Sequence, residues 1–154
     1  MARDERAAVT VVRIESANDI DLDALSKLFE SVQMRPRPAG RMSAAIAGST
    51  DVYAAYDGNR LVGFGRMVSD SVFYGSIWDM AVDPSMQHGG IGAKILDELL
   101  RCAHAKELVI LGLFTATHNK EFYEKYGFEF HPDIHAMTHL PKSTHLPKST
   151  GDDQ

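Results

Sequence analysis

The stretch richest in chemical possibility is a glycine turn at the entry to a helix. Gln87-His88-Gly89-Gly90-Ile91-Gly92 follows an apolar, strand-like run from Ser76 to Val82, and a helical repeat continues from Ala93 to Ala105. Pro84 closes the strand, because proline has no N–H to give a ladder. A glycine turn opening a helix aims several backbone N–H groups at one point, and the helix dipole adds partial positive charge there. Phosphate suits such a place, and glycine keeps side chains from holding it away from the backbone. The glycines read Q-x-x-G-x-G, which is neither the G-x-G-x-x-G of a dinucleotide turn nor the Gly-Lys-Ser/Thr ending of a P-loop.

Other reactive groups are fewer. His131, His135 and His139 are evenly spaced like metal ligands, but Pro132 argues against a helix displaying them, and no metal is expected. Cys102 falls within the apolar stripe of the helix and reads as a buried thiol, not a nucleophile. Asp79 is a carboxylate in a mostly apolar strand. Such a group either has a role or is tied to backbone or solvent.

Val82-x-Pro84 followed by Q-x-x-G-x-G closely resembles the acetyl-CoA signature of the GNAT acetyltransferase superfamily. Downstream, Phe122-Tyr123-Glu124-Lys125-Tyr126-Gly127-Phe128 is similar to the Phe-Tyr-x-x-x-Gly-Phe element of the same superfamily. The resemblance spans Val9 to Leu140. It implies an α/β fold: a mostly antiparallel mixed sheet, one parallel strand pair that splays beyond a bulge, and about four flanking helices. Residues 1–140 would form one domain, with 141–154 a disordered tail.

The resemblance also implies a chemistry. Acetyl-CoA is the co-substrate, and its acetyl group passes to a primary amine of a small molecule by direct attack in a ternary complex. The pantetheine arm would lie along Met80, Ala81 and Val82. The diphosphate would rest on the turn formed by Gln87, His88, Gly89, Gly90, Ile91, Gly92 and Ala93. A backbone N–H near Met80 would steady the oxyanion. Tyr123 would contact the cofactor and protonate the departing thiolate; packing, or a bond to the cofactor sulfur, is the alternative. Asp79 lies beside the expected thioester, as base through water, as anchor for the ammonium, or as a structural carboxylate. Asn119 is a cofactor ligand only if it replaces the asparagine that many members carry near the position of Ala116. Many members also have a basic residue where this chain has His88-Gly89. Met34 and Arg35, with Arg37, would border the acceptor pocket, unless that segment is simply a solvated loop. Phe73, Tyr74 and Trp78 would line the pocket or else belong to the core. Small bacterial and plastid enzymes acting on arylalkylamines, polyamines or amino sugars are the nearest analogy. Acetylation of a protein lysine or N-terminus is the rival within enzymes. An acyl-CoA sensor without turnover is the rival outside them.

The elements that must hold these groups follow from pattern. Val9 to Ile14 reads as a strand. Asp19 or Asp21 caps a helix whose Leu22, Leu25, Leu28, Phe29 and Val32 share one face. Pro36 and Pro38 break it, and Arg41 to Ala47 forms a short second helix. Val52–Tyr56 and Arg60–Val68 make a hairpin about Asp57-Gly58-Asn59. Val72 to Val82 returns as the central strand after a turn at Ser69-Asp70. In the long helix, Ile91, Gly92, Ile95, Leu96, Leu99, Cys102 and Ala103 oppose Lys94, Asp97, Glu98 and Arg101. Leu108 to Phe114 is apolar throughout, as in a buried parallel strand. Asn119 opens a short helix ending at Gly127. Phe128–Phe130 and Ala136–Leu140 form a last strand pair. The duplicated hexapeptide His139–Thr144 and His145–Thr150 has too few copies for a solenoid.

Composition sets outer limits. The chain has 154 residues, 44% apolar and 24% charged, which suits one globular domain. A net charge of −5 gives nucleic acid no electrostatic support. One cysteine suits a reducing compartment. No apolar run is long enough to span a bilayer, and Met1–Arg6 has no apolar signal core. A cytoplasmic protein without membrane partners is expected, and the family often forms homodimers.

Overall fold

The structure, a computed structural model, describes residues 8–139. Two compact units divide the chain, with the boundary between Ala116 and Thr117.

The first unit is built on a five-stranded sheet in the order β1-β2-β3-β4-β5. The strands are β1 (Thr10–Arg13), β2 (Asp51–Asp57), β3 (Arg60–Ser69), β4 (Tyr74–Val82) and β5 (Ile110–Leu113). All neighbours are antiparallel except β4 and β5, which are parallel. The hairpin between β2 and β3 turns at Gly58, whose φ of +60° glycine adopts without strain. The mixed sheet and its parallel pair are those expected from the sequence.

Helices cover both faces. Helix α1 (Leu22–Ser31) is capped by Asp21, whose Oδ1 accepts the N–H groups of Asp23 and Ala24 at 3.0 Å. Asp19 instead completes a capping box with Ser16 on the preceding 3-10 turn. Helix α2 (Ala39–Ala47) starts directly after Pro38. Leu25, Leu28 and Phe29 of α1 and Met42 and Ile46 of α2 form a core with Val52, Ala54, Phe64 and Ala81 of the sheet. Phe29 meets Phe64 edge-on at 5.7 Å.

Strand β3 alternates, so Gly63 and Gly65 face opposite to Phe64. Helix α3 (Ile91–Ala105) packs there. A Cβ on Gly63 would stand 2.9 Å from both Ile91 and Ile95, and one on Gly65 2.5 Å from Met80 Sδ and 2.8 Å from Ile95. The two glycines therefore let α3 settle close onto the sheet. Cys102, 6% exposed, is the buried thiol expected, with Tyr53 Oη at 3.3 Å. Nearby, Asp51 is 1% exposed and holds Arg13 Nη1 and Lys106 Nζ at 2.9 Å each.

Several expectations need correction. Strand β4 begins at Tyr74, not Val72, because Asp70 Oδ1 accepts the N–H groups of Val72, Phe73 and Tyr74 and curls that segment into a turn. Strand β5 is shorter than Leu108–Phe114 and lies at the sheet edge; Val109 and Ile110 are 70% and 59% exposed, so the apolar run is not a buried strand.

In the second unit, helix α4 (Lys120–Glu124) has Asn119 at its N-cap position without a side-chain hydrogen bond. The helix stops at Glu124, short of the expected end at Gly127; Gly127, at φ +83°, closes the turn that follows, and the N–H of Phe128 donates to Tyr123 O at 3.3 Å. Residues 128–139 contain no strand, so the expected pair at Phe128–Phe130 and Ala136–Leu140 is absent among the described residues. Short apolar runs carry little strand signal without a partner to fix them. The tail 141–154 lies outside the described residues.

Candidate active site

The glycine turn folds as a cradle. After β4, Asp83 Oδ1 accepts the N–H and the hydroxyl of Ser85 at 2.8 and 2.6 Å, starting a 3-10 turn over Pro84–Met86. Gln87 Nε2 donates back to Val82 O at 3.1 Å, so this side chain pins the turn to the strand. His88 and Gly90 then take left-handed φ values of +65° and +84°. Helix α3 starts at Ile91, two residues earlier than the repeat suggested, with Gly90 as an N-cap that offers no side-chain acceptor. The first helical N–H to find its partner is that of Lys94, on Gly90 O at 3.0 Å. The amides of Ile91, Gly92 and Ala93 are left to an outside acceptor. No acidic residue stands in this first turn, unlike α1, which carries Asp23 there. The turn is exposed from Gln87 to Gly90. Uncapped donors, an aligned helix dipole and the absence of a competing carboxylate suit a diphosphate.

Strand β4 reaches the cradle along an open edge. Its pairing with β5 ends at Ile77↔Leu113, yet β4 continues to Val82. From Trp78 onward that edge has no strand partner among the described residues. Strand β5 itself ends at Leu113, so an open edge of β4 stands where the splay was expected. It coincides with a bulge: Phe64 faces Ala81 and Arg66 faces Trp78, leaving Asp79 and Met80 opposite Gly65 alone. Asp79 makes the kink at φ +58°, a conformation aspartate tolerates better than most residues. The rings of Trp78 and Phe114 lie 5.5 Å apart across the start of the fork. Trp78 Nε1 donates to Ser76 Oγ at 2.7 Å.

The Asp79 side chain is 4% exposed and is held by two arginines. Arg66 Nε donates to its Oδ2 at 2.7 Å, and Arg66 Nη1 donates to Ser49 Oγ at 3.1 Å. Arg37 Nη2 lies 2.7 Å from Oδ1, with its guanidinium 4.9 Å over the Phe29 ring. Both carboxylate oxygens are thus engaged, so proton acceptance by Asp79 requires one ion pair to open. Neither Arg66 nor Ser49 was legible from the sequence, since the pairing joins distant strands.

The acceptor-side expectations divide. Arg37 reaches β4, whereas Arg35 is exposed and Met34 packs against the α1–α2 core. Trp78 stands next to the bulge. Phe73 and Tyr74 do not: Tyr74 precedes Asp79 by five residues, about 17 Å at the usual strand rise. Both rings are more than half exposed, at the far end of β4.

In the second unit Tyr123 meets Phe122 at 5.0 Å and Phe128 at 5.8 Å, both edge-on. Burial pushes its phenol above the ordinary value near 10. Asn119 is exposed. Among the described residues no three His, Cys, Asp or Glu side chains converge as a metal site.

The sequence profile of the acetyltransferase (GNAT) domain matches residues 48–130. Histone acetyltransferase TAP1 of Glycine max is 32% identical over 129 residues, 77% of this chain and 56% of that protein. Serotonin N-acetyltransferase 2, chloroplastic, of Oryza sativa subsp. japonica is 30% identical over 122 residues, 77% of this chain and 61% of that protein. This chain thus spans little more than half the length of these curated relatives. A solved GNAT-family acetyltransferase from Streptococcus pneumoniae TIGR4 superposes with a TM-score of 0.75 at 27% identity, covering 88% of this chain and 99% of that one. Glycine cradle, bulged strand and profile agree, and the chain belongs to the GNAT acetyltransferase family.

Proposed function

We propose that this protein transfers the acetyl group of acetyl-CoA to a primary amine of a small molecule. The reading rests on one observation above all. The unpartnered amides of Ile91, Gly92 and Ala93 lie just beyond the stretch of β4, Trp78 to Val82, whose edge away from β3 has no strand partner among the described residues, with only one pinned turn between them. That continuity supplies phosphate donors and then free backbone for an amide-bearing arm. Met80, Ala81 and Val82 would bind the arm, and His88 to Ala93 the diphosphate.

In the reaction, the amine nitrogen bonds to the thioester carbon and the carbon–sulfur bond breaks. The ammonium first gives one proton to water and so gains its lone pair; after attack the nitrogen gives up a second proton to water, while the departing thiolate takes one from Tyr123, whose phenol is reprotonated from solvent. A backbone N–H at the bulge would donate to the carbonyl oxygen as charge gathers there. Tyr123 is assigned as the acid. Its raised pKa keeps the phenol protonated at neutral pH, so a proton is present to give; because a phenol is a weaker acid than a thiol, the transfer is modestly uphill and is driven by the breaking of the carbon–sulfur bond. Asp79, beside the bulge, is assigned to the acceptor's positive charge.

The aromatic pair Trp78 and Phe114 favours an arylalkylamine, and the serotonin-acetylating relative lends support. Calorimetry with CoA and acetyl-CoA, followed by thiol release with 2-phenylethylamine, tryptamine, spermidine, glucosamine and a lysine peptide, tests the reading. Turnover with a small amine, lost in Tyr123→Phe, supports it. Turnover of the peptide alone moves the acceptor to protein. Tight CoA binding without any turnover makes the protein a sensor, and no CoA binding removes the reading altogether.

A further inference from the structure

The two oxygens of Asp79 are held in different ways. Oδ2 takes an aligned hydrogen bond from Arg66 Nε at 2.7 Å. Arg66 is a ladder residue of β3, opposite Trp78, and is tied to Ser49. Its backbone is fixed in the sheet, and its guanidinium is held by two partners, Asp79 Oδ2 and Ser49 Oγ. Oδ1 is met by Arg37 Nη2 at 2.7 Å, within ion-pair reach but outside hydrogen-bond alignment. The other terminal nitrogen of Arg37, Nη1, is buried and has no acceptor among the described residues. A desolvated, unpaired guanidinium donor is an unfavourable thing to keep.

The backbone around Arg37 does little to hold it there. Pro36 and Pro38 flank it, and no backbone hydrogen bond is donated by residues 35–37. Its anchors are the Asp79 carboxylate and the face of Phe29. One arginine is therefore scaffold and the other is removable. The removable one places a cation on the carboxylate that flanks the bulge.

We propose that Arg37 is a displaceable stand-in for the acceptor's ammonium. On binding, a cationic amine takes Asp79 Oδ1, and Arg37 withdraws with its loop, carrying Nη1 out to water. Arg37 then acts as a specificity residue. A protonated amine can replace a guanidinium at a carboxylate, whereas an uncharged amine leaves the ion pair closed. This rests on the reading of the β4 fork as the place of acetyl transfer.

The test compares wild type with Arg37→Ala and Arg37→Gln, each checked for folding by circular dichroism. Calorimetry measures binding of 2-phenylethylamine to the CoA-loaded protein, and KM is taken wherever turnover occurs. Removing the competitor should tighten the ammonium by up to about fivefold in both variants, lower KM accordingly, and leave CoA affinity as it was. An aniline, uncharged at neutral pH, should show no such gain. Adding methylguanidinium to Arg37→Ala should weaken amine binding back toward wild type. A merely structural Arg37 predicts the opposite sign, weaker amine binding on its removal. Unchanged or weakened ammonium binding, or none in any of the three proteins, overturns the proposal while CoA binding leaves the family reading intact. Loss of CoA binding in wild type overturns that reading itself.

Discussion

Replacing Asp79 by alanine probes how the bulge is held. The Asp79 side chain is 4% exposed and that of Arg66 15%, so removing Asp79 leaves a largely desolvated guanidinium with Ser49 as its remaining partner. Breaking a buried pair by deleting one partner costs about 3–5 kcal/mol. The Arg37 pair adds little, because Arg37 is 36% exposed and water screens it. The backbone adds more: at φ +58° alanine meets the left-handed penalty of about 1–2 kcal/mol that aspartate and asparagine largely escape. Asp79→Asn keeps that tolerance and a neutral acceptor for Arg66 Nε, and should lose about 1.5–3 kcal/mol, the value of a hydrogen bond to a charged group. The expected order is wild type, then asparagine, then alanine, with alanine about 4–7 kcal/mol below wild type once the pair and backbone costs are added. Urea unfolding read by the fluorescence of the single tryptophan, Trp78, and by far-ultraviolet circular dichroism measures it. Alanine within about 1 kcal/mol of wild type would mean that the ion pairs contribute nothing net. Alanine equal to asparagine would refute the backbone part of the argument.

Three further outcomes follow from the same geometry. Gly63→Ala forces a Cβ to within 2.9 Å of Ile91 and Ile95, an overpacking cost of about 1–3 kcal/mol offset by about 0.4–1 from the stiffer unfolded chain; differential scanning calorimetry should show Tm falling by a few degrees, and CoA should bind more weakly because Ile91 opens the cradle. For Asp51, burial raises the carboxyl pKa, but hydrogen bonds from Lys106 and Arg13 outweigh it and hold the group below its ordinary value. A folded pKa below the unfolded one gives stability that is full above about pH 4 and drains away as pH falls through the folded value, so Asp51→Asn should flatten the acid limb of a urea-midpoint profile. Tyr123→Phe should lower kcat by about 100-fold or more if the phenol is the acid, with CoA affinity within a few fold, and in wild type the alkaline limb due to this phenol should lie above pH 10.

Local chemistry was legible in the sequence, and distant pairing was not. Gly90 and Gly92 announce a turn into a helix because no neighbour is needed to explain them. The period of Ile91, Ile95, Leu99 and Cys102 names the buried face of α3 for the same reason. Arg37 and Asp79 are 42 positions apart, and no pattern in either neighbourhood says that they meet. Strand β5 misled because an apolar run of seven residues looks alike at a sheet centre and at a sheet edge; only the missing neighbour separates the two. Phe73 misled in another way. Its β-favouring side chain belongs to the strand by propensity, yet Asp70 takes the local backbone N–H groups first.

Gly63 and Gly65 carry a signal that sequence patterning discards, because glycine weakens a strand and reads as a defect. Here the defect positions the site. Without side chains at those two points, α3 lies close enough to β3 for Ile91, its first residue, to be 3% exposed. A buried first residue fixes the mouth of the helix against the sheet, and Gln87 ties the intervening turn to Val82. Gly65 also gives Met80 somewhere to go, so β4 can carry its extra residue and turn Asp79 inward to Arg66. The bulge in turn coincides with the point where β4 parts from β5. Two missing Cβ atoms on β3 thus set both the phosphate cradle and the open edge that leads to it. A larger residue at Gly63 or Gly65 should disturb cofactor binding from a strand that contributes none of the assigned cofactor contacts.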